Sequence, residues 1–259
     1  MNLGLDDKVA LVCGASRGLG RAIAGELATE GASLALCSRD PERLEAVARE
    51  LGPGVLAVPV DLAVSGEPSR VVEAAQERFG RLDVLVTNTG GPPAGTHDTL
   101  TLGDWDAATA LLLRSTVELA TAALPGMKER GWGRILAVTS VAVKQPVDNL
   151  ILSNSLRAAV TGFAKTLARE VAADGITVNT ILPGYTATER VAELNRANAE
   201  QEGVDLAEIE ARLVGSIPLG RLAQPEEFAA LAAFLASERA GYITGGAFAV
   251  DGGWLRALL

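Results

Sequence analysis

The chain has 259 residues, of which 48% are hydrophobic, 21% charged and only 4% aromatic. That composition belongs to a globular protein with a sizeable core, not to a disordered or fibrous chain. The net charge of −9 leaves no basic excess to displace counterions, so nucleic acid is excluded as an expected partner, and no apolar stretch reads as a membrane span.

The first element is the run Lys8 to Cys13, apolar and rich in β-branched residues, which ends in Gly14-x-x-x-Gly18-x-Gly20. A helical pattern follows at once, with Ile23 and Leu27 on one face, and Gly31 stops it. Strand, glycine-rich turn and helix start form a cradle for phosphate. The glycines allow a sharp turn and close approach, and the helix N-terminus offers free N–H groups and a favourable dipole. Ser33 to Cys37 reads as a second strand. A helix to about Leu51 follows, with Asp40 as N-cap and Pro41 at its first position. Val55 to Val60 is a third strand, ending at Asp61. A helix to Phe79 and a strand from Leu82 to Thr87 come next. Cys13 and Cys37 are too few for a disulfide framework and lack metal-ligand spacing, so two reduced core thiols and no metal are expected.

Asn88 to Gly95 is a loop by composition. A long helix runs from about Asp104 to Arg130, and Pro125 is expected to kink or divide it. Arg134 to Thr139 is a fifth strand, Leu152 to Ala173 a helix, and Thr177 to Leu182 a sixth strand ended by Pro183-Gly184. The stretch from Tyr185 to Ile217 breaks the alternation. It is charged and amphipathic, reads as two short helices, and follows a strand's carboxyl end, as a lid over a cleft would. A helix over Pro225 to Ser237 and a strand over Ala247 to Val250 complete the chain. The expected fold is α/β: one Rossmann-type, doubly wound parallel sheet of about seven strands, with helices on both faces and a small helical lid at 185–217. No linker or repeat appears, so residues 1–259 read as one domain. The N-terminus has no basic segment leading an apolar core, so a cytoplasmic location is expected.

The chain resembles the short-chain dehydrogenase/reductase family, of the 3-oxoacyl-(acyl-carrier-protein) reductase-like kind. The resemblance spans nearly the whole chain. It rests on Gly14, Gly18 and Gly20, on Asp61, on Asn88-Thr89-Gly90 and on Ser140. It continues through Val178-Asn179, Pro183-Gly184 with Thr188, Ile243 to Gly246 and Asp251-Gly252-Gly253. It implies a nicotinamide dinucleotide cofactor held by Gly14, Ser16, Arg17, Gly18, Leu19 and Gly20. Asp61 and Leu62 would lie at the adenine edge, and Asn88, Thr89 and Gly90 beside the adenosine ribose. Pro183, Gly184, Thr186 and Thr188 would lie along the nicotinamide amide and pyrophosphate. Asn88 also suits a strand tie, and Thr188 a helix N-cap.

The cofactor's 2′-position can be argued from charge. NAD selection needs a carboxylate about twenty residues beyond the turn, to accept from the ribose hydroxyl. Ser38-Arg39 occupies that place, with Arg17 in the turn itself. Two guanidiniums suit a 2′-phosphate, so NADP is preferred and NAD remains possible.

The catalytic residues depart from the family's Asn, Ser, Tyr and Lys. Ser140 is kept, but the tyrosine place holds Ser153, the lysine place Arg157 and the asparagine place Leu112. A serine hydroxyl is a far weaker acid than a phenol, and arginine does not relay a proton, though it can hold an anion. Losing a positioned acid costs about 10²–10⁴ in rate. Tyr185 at the cleft mouth and Lys144, four residues after Ser140, are candidate substitutes. His97, the only histidine, reads as a surface residue. Two readings remain open. One is an NADP-dependent oxidoreductase of a small carbonyl or alcohol, with Ser140, Ser153, Arg157, Lys144 and Tyr185 as candidate catalytic residues. The other is a non-catalytic dinucleotide-binding sensor or partner subunit. The apolar tail Trp254-Leu255 and Ala257-Leu258-Leu259 points to a homo-oligomer, a dimer or tetramer.

Overall fold

Strand β1 (Val9–Cys13) is buried along its whole length and sits near the middle of the sheet. Its alternate side chains enter two different cores. Ala10 and Val12 face one layer of helices, whereas Val9, Leu11 and Cys13 face the other. Only a strand covered on both faces is so uniformly apolar. The structure, a computed structural model, describes residues 2–258, so Leu259 lies outside the described residues.

The remaining strands are β2 (Ser33–Ser38), β3 (Leu56–Pro59), β4 (Val84–Thr87), β5 (Gly133–Val138), β6 (Ile176–Pro183) and β7 (Ala247–Val250). All pairs are parallel and the order is β3-β2-β1-β4-β5-β6-β7. The chain moves outward from β1 to β3, then returns to place β4 on the other side of β1. That reversal opens a crevice at the strands' carboxyl ends, where ligands of such sheets bind.

Helices α1 (Gly18–Thr29) and α2 (Pro41–Leu51) cover one face, and α3 (Glu67–Phe79) the other. Asp40 caps α2 by accepting from the Arg43 amide at 3.0 Å, with Pro41 at the first helical position. The long run then forms α4 (Leu102–Thr109), a π-helical turn (Ala110–Arg114) and α5 (Ser115–Arg130). The division therefore falls at the π turn and not at Pro125, which lies inside α5. Ser115 and Thr116 bond back to the carbonyls of Leu111 and Leu112, where the wider turn leaves room. The helix starts two residues earlier than its periodicity implies because Thr101 and Asp104 form a capping box. The run Leu102–Arg130 is long and apolar enough, by length and composition, to cross a membrane. Here its Leu119, Ala120, Ala123 and Met127 pack fully buried against the sheet.

Helix α6 (Ile151–Val171) follows β5, and α7 (Glu189–Glu202) and α8 (Leu206–Ser216) occupy the stretch after β6. Helix α9 (Pro225–Ala236) packs its fully buried Phe228 and four alanines against α1 and the sheet. Small residues let these two helices approach closely. The carboxylate of Asp83, completely buried, accepts from the Val9 amide at 2.9 Å and from Arg81 at 2.7 and 2.9 Å. It pins the start of β4 to β1 beneath the crevice.

Candidate active site

The crevice is a cleft of about 640 Å³ lined from the ends of β1, β2, β4, β5 and β6 and from α7. Its phosphate end follows from the glycines. Gly14 has φ of +62°, and a Cβ there would lie 2.4 Å from the Asn88 carbonyl oxygen. A Cβ at Gly20 would lie 2.2 Å from the Gly14 carbonyl oxygen. No side chain fits either place, so the turn is pressed flat against the β4 loop. The α1 N-terminus has no side-chain cap, which leaves its first N–H groups free for an anion.

All the cofactor residues expected from the sequence line this cleft except Gly20, which sits behind the turn and supports it. Ser16, Gly18 and Leu19 are on the near wall. Ser38, Arg39, Asp61 and Leu62 lie at the far end, with Asn88, Thr89 and Gly90 between. Pro183, Gly184, Thr186 and Thr188 close the other side. Thr188 also caps α7, accepting from the Val191 amide at 3.4 Å. The hydroxyls of Thr139 and Thr186, both buried on the cleft wall, have no partner among the described residues. Buried hydroxyls without partners are costly, and a dinucleotide with an amide and a pyrophosphate offers them one. The glycine cradle, the uncapped helix end and these hydroxyls fit such a cofactor.

At the expected 2′-position the charges differ from the sequence reading. Arg17 is held by Glu189 at 2.6 Å and Glu193 at 3.1 Å, both on α7. Arg43, in the first turn of α2, also reaches Glu189, at 3.1 Å. Among the described residues Arg39 makes no ion pair. Arg43, Glu189 and Glu193 were missed because their partners are more than a hundred residues away in sequence.

At the catalytic end, Ser140 lies just past β5, and its Oγ accepts from the Ala142 amide at 3.1 Å. Ser153 and Arg157 are one turn apart on α6, and Arg157 Nε donates to Ser153 Oγ at 3.1 Å. Arg157 also donates from Nη1 to the Val138 carbonyl at 3.0 Å and from Nη2 to the Gly90 carbonyl at 2.6 Å. It thus ties α6 to the ends of β5 and β4. Both serines accept from an N–H and keep their own hydroxyl hydrogen for a ligand. Burial, reinforced by Arg190, pushes Arg157 down to about 10, so it stays a cation at neutral pH.

The other two candidates do not fit the roles considered for them. Lys144 is exposed and does not line the cleft, because the turn after Ser140 (Val141–Val143) carries it to the outer surface. Tyr185 does line the cleft, with its ring edge-on to Trp254 at 5.6 Å. Burial, then Asp148, pushes its phenol above the ordinary value. That direction is opposite to what a proton donor near neutrality needs. Leu112 lies on the π turn, 1% exposed, among Ala108, Leu152 and Leu156. An apolar cluster stands where the family places a polar anchor. His97 is exposed.

A parallel sheet with a glycine turn at its switch point and a polar pocket beside it is the architecture of dinucleotide-dependent oxidoreductases. The family described as Enoyl-(Acyl carrier protein) reductase matches residues 14–255. The D-beta-hydroxybutyrate dehydrogenase of Cupriavidus necator is 33% identical over 97% of this chain and 99% of its own. The 3-oxoacyl-(acyl-carrier-protein) reductase FabG of Vibrio cholerae is 36% identical over 97% of this chain and 98% of its own. The crystal structure of L-sorbose reductase from Gluconobacter frateurii, complexed with NADPH and L-sorbose, superposes with a TM-score of 0.94 at 38% identity, covering 100% of both chains. The chain belongs to the short-chain dehydrogenase/reductase family, whose members are NAD(P)-dependent oxidoreductases of carbonyl and alcohol substrates.

Proposed function

We propose that this protein is an NADP-dependent carbonyl reductase or alcohol dehydrogenase in which Ser140, Ser153 and Arg157 replace the family's Tyr–Lys pair. The observation that carries the reading is the 3.1 Å hydrogen bond from Arg157 Nε to Ser153 Oγ inside the cleft that also holds the glycine turn. NADPH, when bound, supplies the hydride that goes to the carbonyl carbon. The glycine turn and the α1 N-terminus would hold its pyrophosphate, and Arg39, joined by Arg17 on release from Glu189 and Glu193, would hold the 2′-phosphate. The NADPH in the L-sorbose reductase crystal structure supports that choice of cofactor.

Ser153 donates its hydroxyl hydrogen to the carbonyl oxygen, and Ser140 gives a second hydrogen bond. As negative charge grows on that oxygen, Arg157 stabilises it through Ser153, from a site partly screened from water. The oxygen keeps the Ser153 proton, water reprotonates the serine, and Arg157 never gives one up. The chain acts as one domain, with α7 and α8 as a lid, in the cytoplasm. The apolar tail, with Trp254 and Leu255 half-buried and Leu258 exposed, would join the copies of a homo-oligomer. A stable monomer in light scattering at micromolar concentration would refute that assembly.

The test is consumption of NADPH by pure protein across a panel of ketones and aldehydes, with NADPH and NADH affinities measured alongside. The reading requires turnover of at least one carbonyl class and tighter binding of NADPH. Binding without turnover of any class, or equal affinity for the two cofactors, would overturn it.

A further inference from the structure

The catalytic end of the cleft holds two guanidiniums from different elements around one loop. Arg157 donates to the Gly90 carbonyl at 2.6 Å. Arg190, in the first turn of α7, donates to the Pro92 carbonyl at 2.8 Å. A Cβ on Gly91, between them, would meet Arg190 Nε at 3.3 Å. The loop is bare there, so the two cations share one wall.

Their charge is poorly balanced. Among the described residues no carboxylate lies within ion-pair distance of Arg157. Arg190 has only Glu193, at 3.9 Å, and Glu193 is itself held by Arg17 at 3.1 Å. The cleft's other acidic side chains, Asp40, Asp61 and Glu189, belong to the adenosine end, where Arg17 and Arg43 take Glu189. Burial pushes both Arg157 and Arg190 below the usual arginine range, and Arg190 lowers Arg157 further. Two partly buried like charges that share a single distant carboxylate, itself held by Arg17, cost free energy that a bound anion would offset. Arg190 has the capacity, since only one of its five N–H groups is committed to a protein acceptor, whereas Arg157 uses three. Beside the pair runs an apolar wall of Leu111, Val147, Leu150 and Leu194.

We propose that the substrate is an oxo acid or the matching hydroxy acid. Arg190 holds its carboxylate, the apolar wall takes its carbon chain, and its ketone or alcohol oxygen meets Ser140 and Ser153. This inference rests on the oxidoreductase reading above. It adds Arg190 as a residue that sets specificity, acting on the substrate and not on the reacting oxygen.

The probes are pyruvate, acetoacetate and levulinate, each against its methyl ester, which removes the charge and keeps the ketone. Turnover is measured with NADPH, and binding to the NADP-loaded protein by calorimetry. The acid of at least one pair should exceed its ester by about ten- to hundredfold in kcat/KM or in affinity, the value of a charge-assisted hydrogen bond pair. Arg190→Gln, which keeps a donor for the Pro92 carbonyl, should collapse that ratio toward one, and Arg190→Lys should restore part of it. NADPH affinity of Arg190→Gln should change by no more than about twofold, since no 2′-phosphate contact is removed. Ester and acid behaving alike, or an acid preference that survives in Arg190→Gln, would overturn the proposal. So would a loss of NADPH affinity as large as the loss for the acid, which would assign the cations to the cofactor's pyrophosphate. Acid binding without any turnover would uphold the anion site and refute the oxidoreductase reading. Turnover without acid preference would do the reverse.

Discussion

Replacing Arg157 by methionine separates catalysis from stability. The guanidinium makes hydrogen bonds to Ser153 Oγ, to the Val138 carbonyl and to the Gly90 carbonyl. Its removal deletes the positive charge behind Ser153, and losing one preorganised donor of this type costs about 2.7–4 kcal/mol, or about 10²–10³ in kcat. Stability should respond differently. The protein keeps a cation that burial pushes down to about 10 and that, among the described residues, no carboxylate balances. Removing a charge that has no ionic partner relieves its desolvation cost. The forfeited hydrogen bonds offset that gain, so the net change should stay within about 1 kcal/mol, or about 2–4 °C in Tm for a chain of this size. The assay pairs steady-state kinetics on the best carbonyl with a thermal melt. Ser153→Ala should show a similar loss, and the double variant should be no worse than either single one, because the two residues act as a unit. Activity within about threefold of the native protein, or a loss accompanied by a fall in Tm of about 8 °C or more, would refute this reasoning and make Arg157 a structural tie.

Arg39→Asp should weaken NADPH by about one to two decades and spare NADH, as judged by titration of each cofactor. Glu189→Gln should tighten NADPH about two- to tenfold without changing NADH, because it releases Arg43 from Glu189 and leaves Arg17 only its pair with Glu193, and such surface pairs are weak competitors. The kcat/KM profile should be flat from about pH 6 to about pH 9, since serine does not titrate there. Arg157, at about 10, remains charged over that range, and Tyr185, raised by burial, remains neutral. A rate governed by a single ionisation near neutrality would contradict this. Ser153→Tyr with Arg157→Lys should raise reduction of a plain ketone by up to about 10²–10⁴ if the scaffold is otherwise competent. Adding Leu112→Asn should lower the melting point instead of helping, because a buried amide among Ala108, Leu152 and Leu156 lacks a partner at a cost of about 1–3 kcal/mol.

The repeating strand and helix pattern was legible because the central strands are mostly apolar and several helix starts carry their own punctuation. Asp40-Pro41 marked α2, and the glycine turn marked α1. The division of the long central helix was not legible. Proline is the strongest breaker in sequence, yet Pro125 is accommodated inside α5, while the π turn at Ala110–Arg114 carries no breaker residue. The same limit applied to charge. Arg17 reads as a phosphate ligand from its place in the turn, but its grip by Glu189 and Glu193 depends on where α7 lands. Arg190 had no sequence signal at all, since its partner Pro92 is 98 residues away. Lys144 was brought close in sequence by Ser140 and taken away in space by the turn between them.

The most direct measurement follows deuterium from deuterated NADPH into product, in the native protein and in Ser153→Ala. The account predicts label on the former carbonyl carbon with the native protein and a rate lower by about 10²–10³ in the variant. Absence of label with every carbonyl offered, or transfer in Ser153→Ala at the native rate, would contradict it.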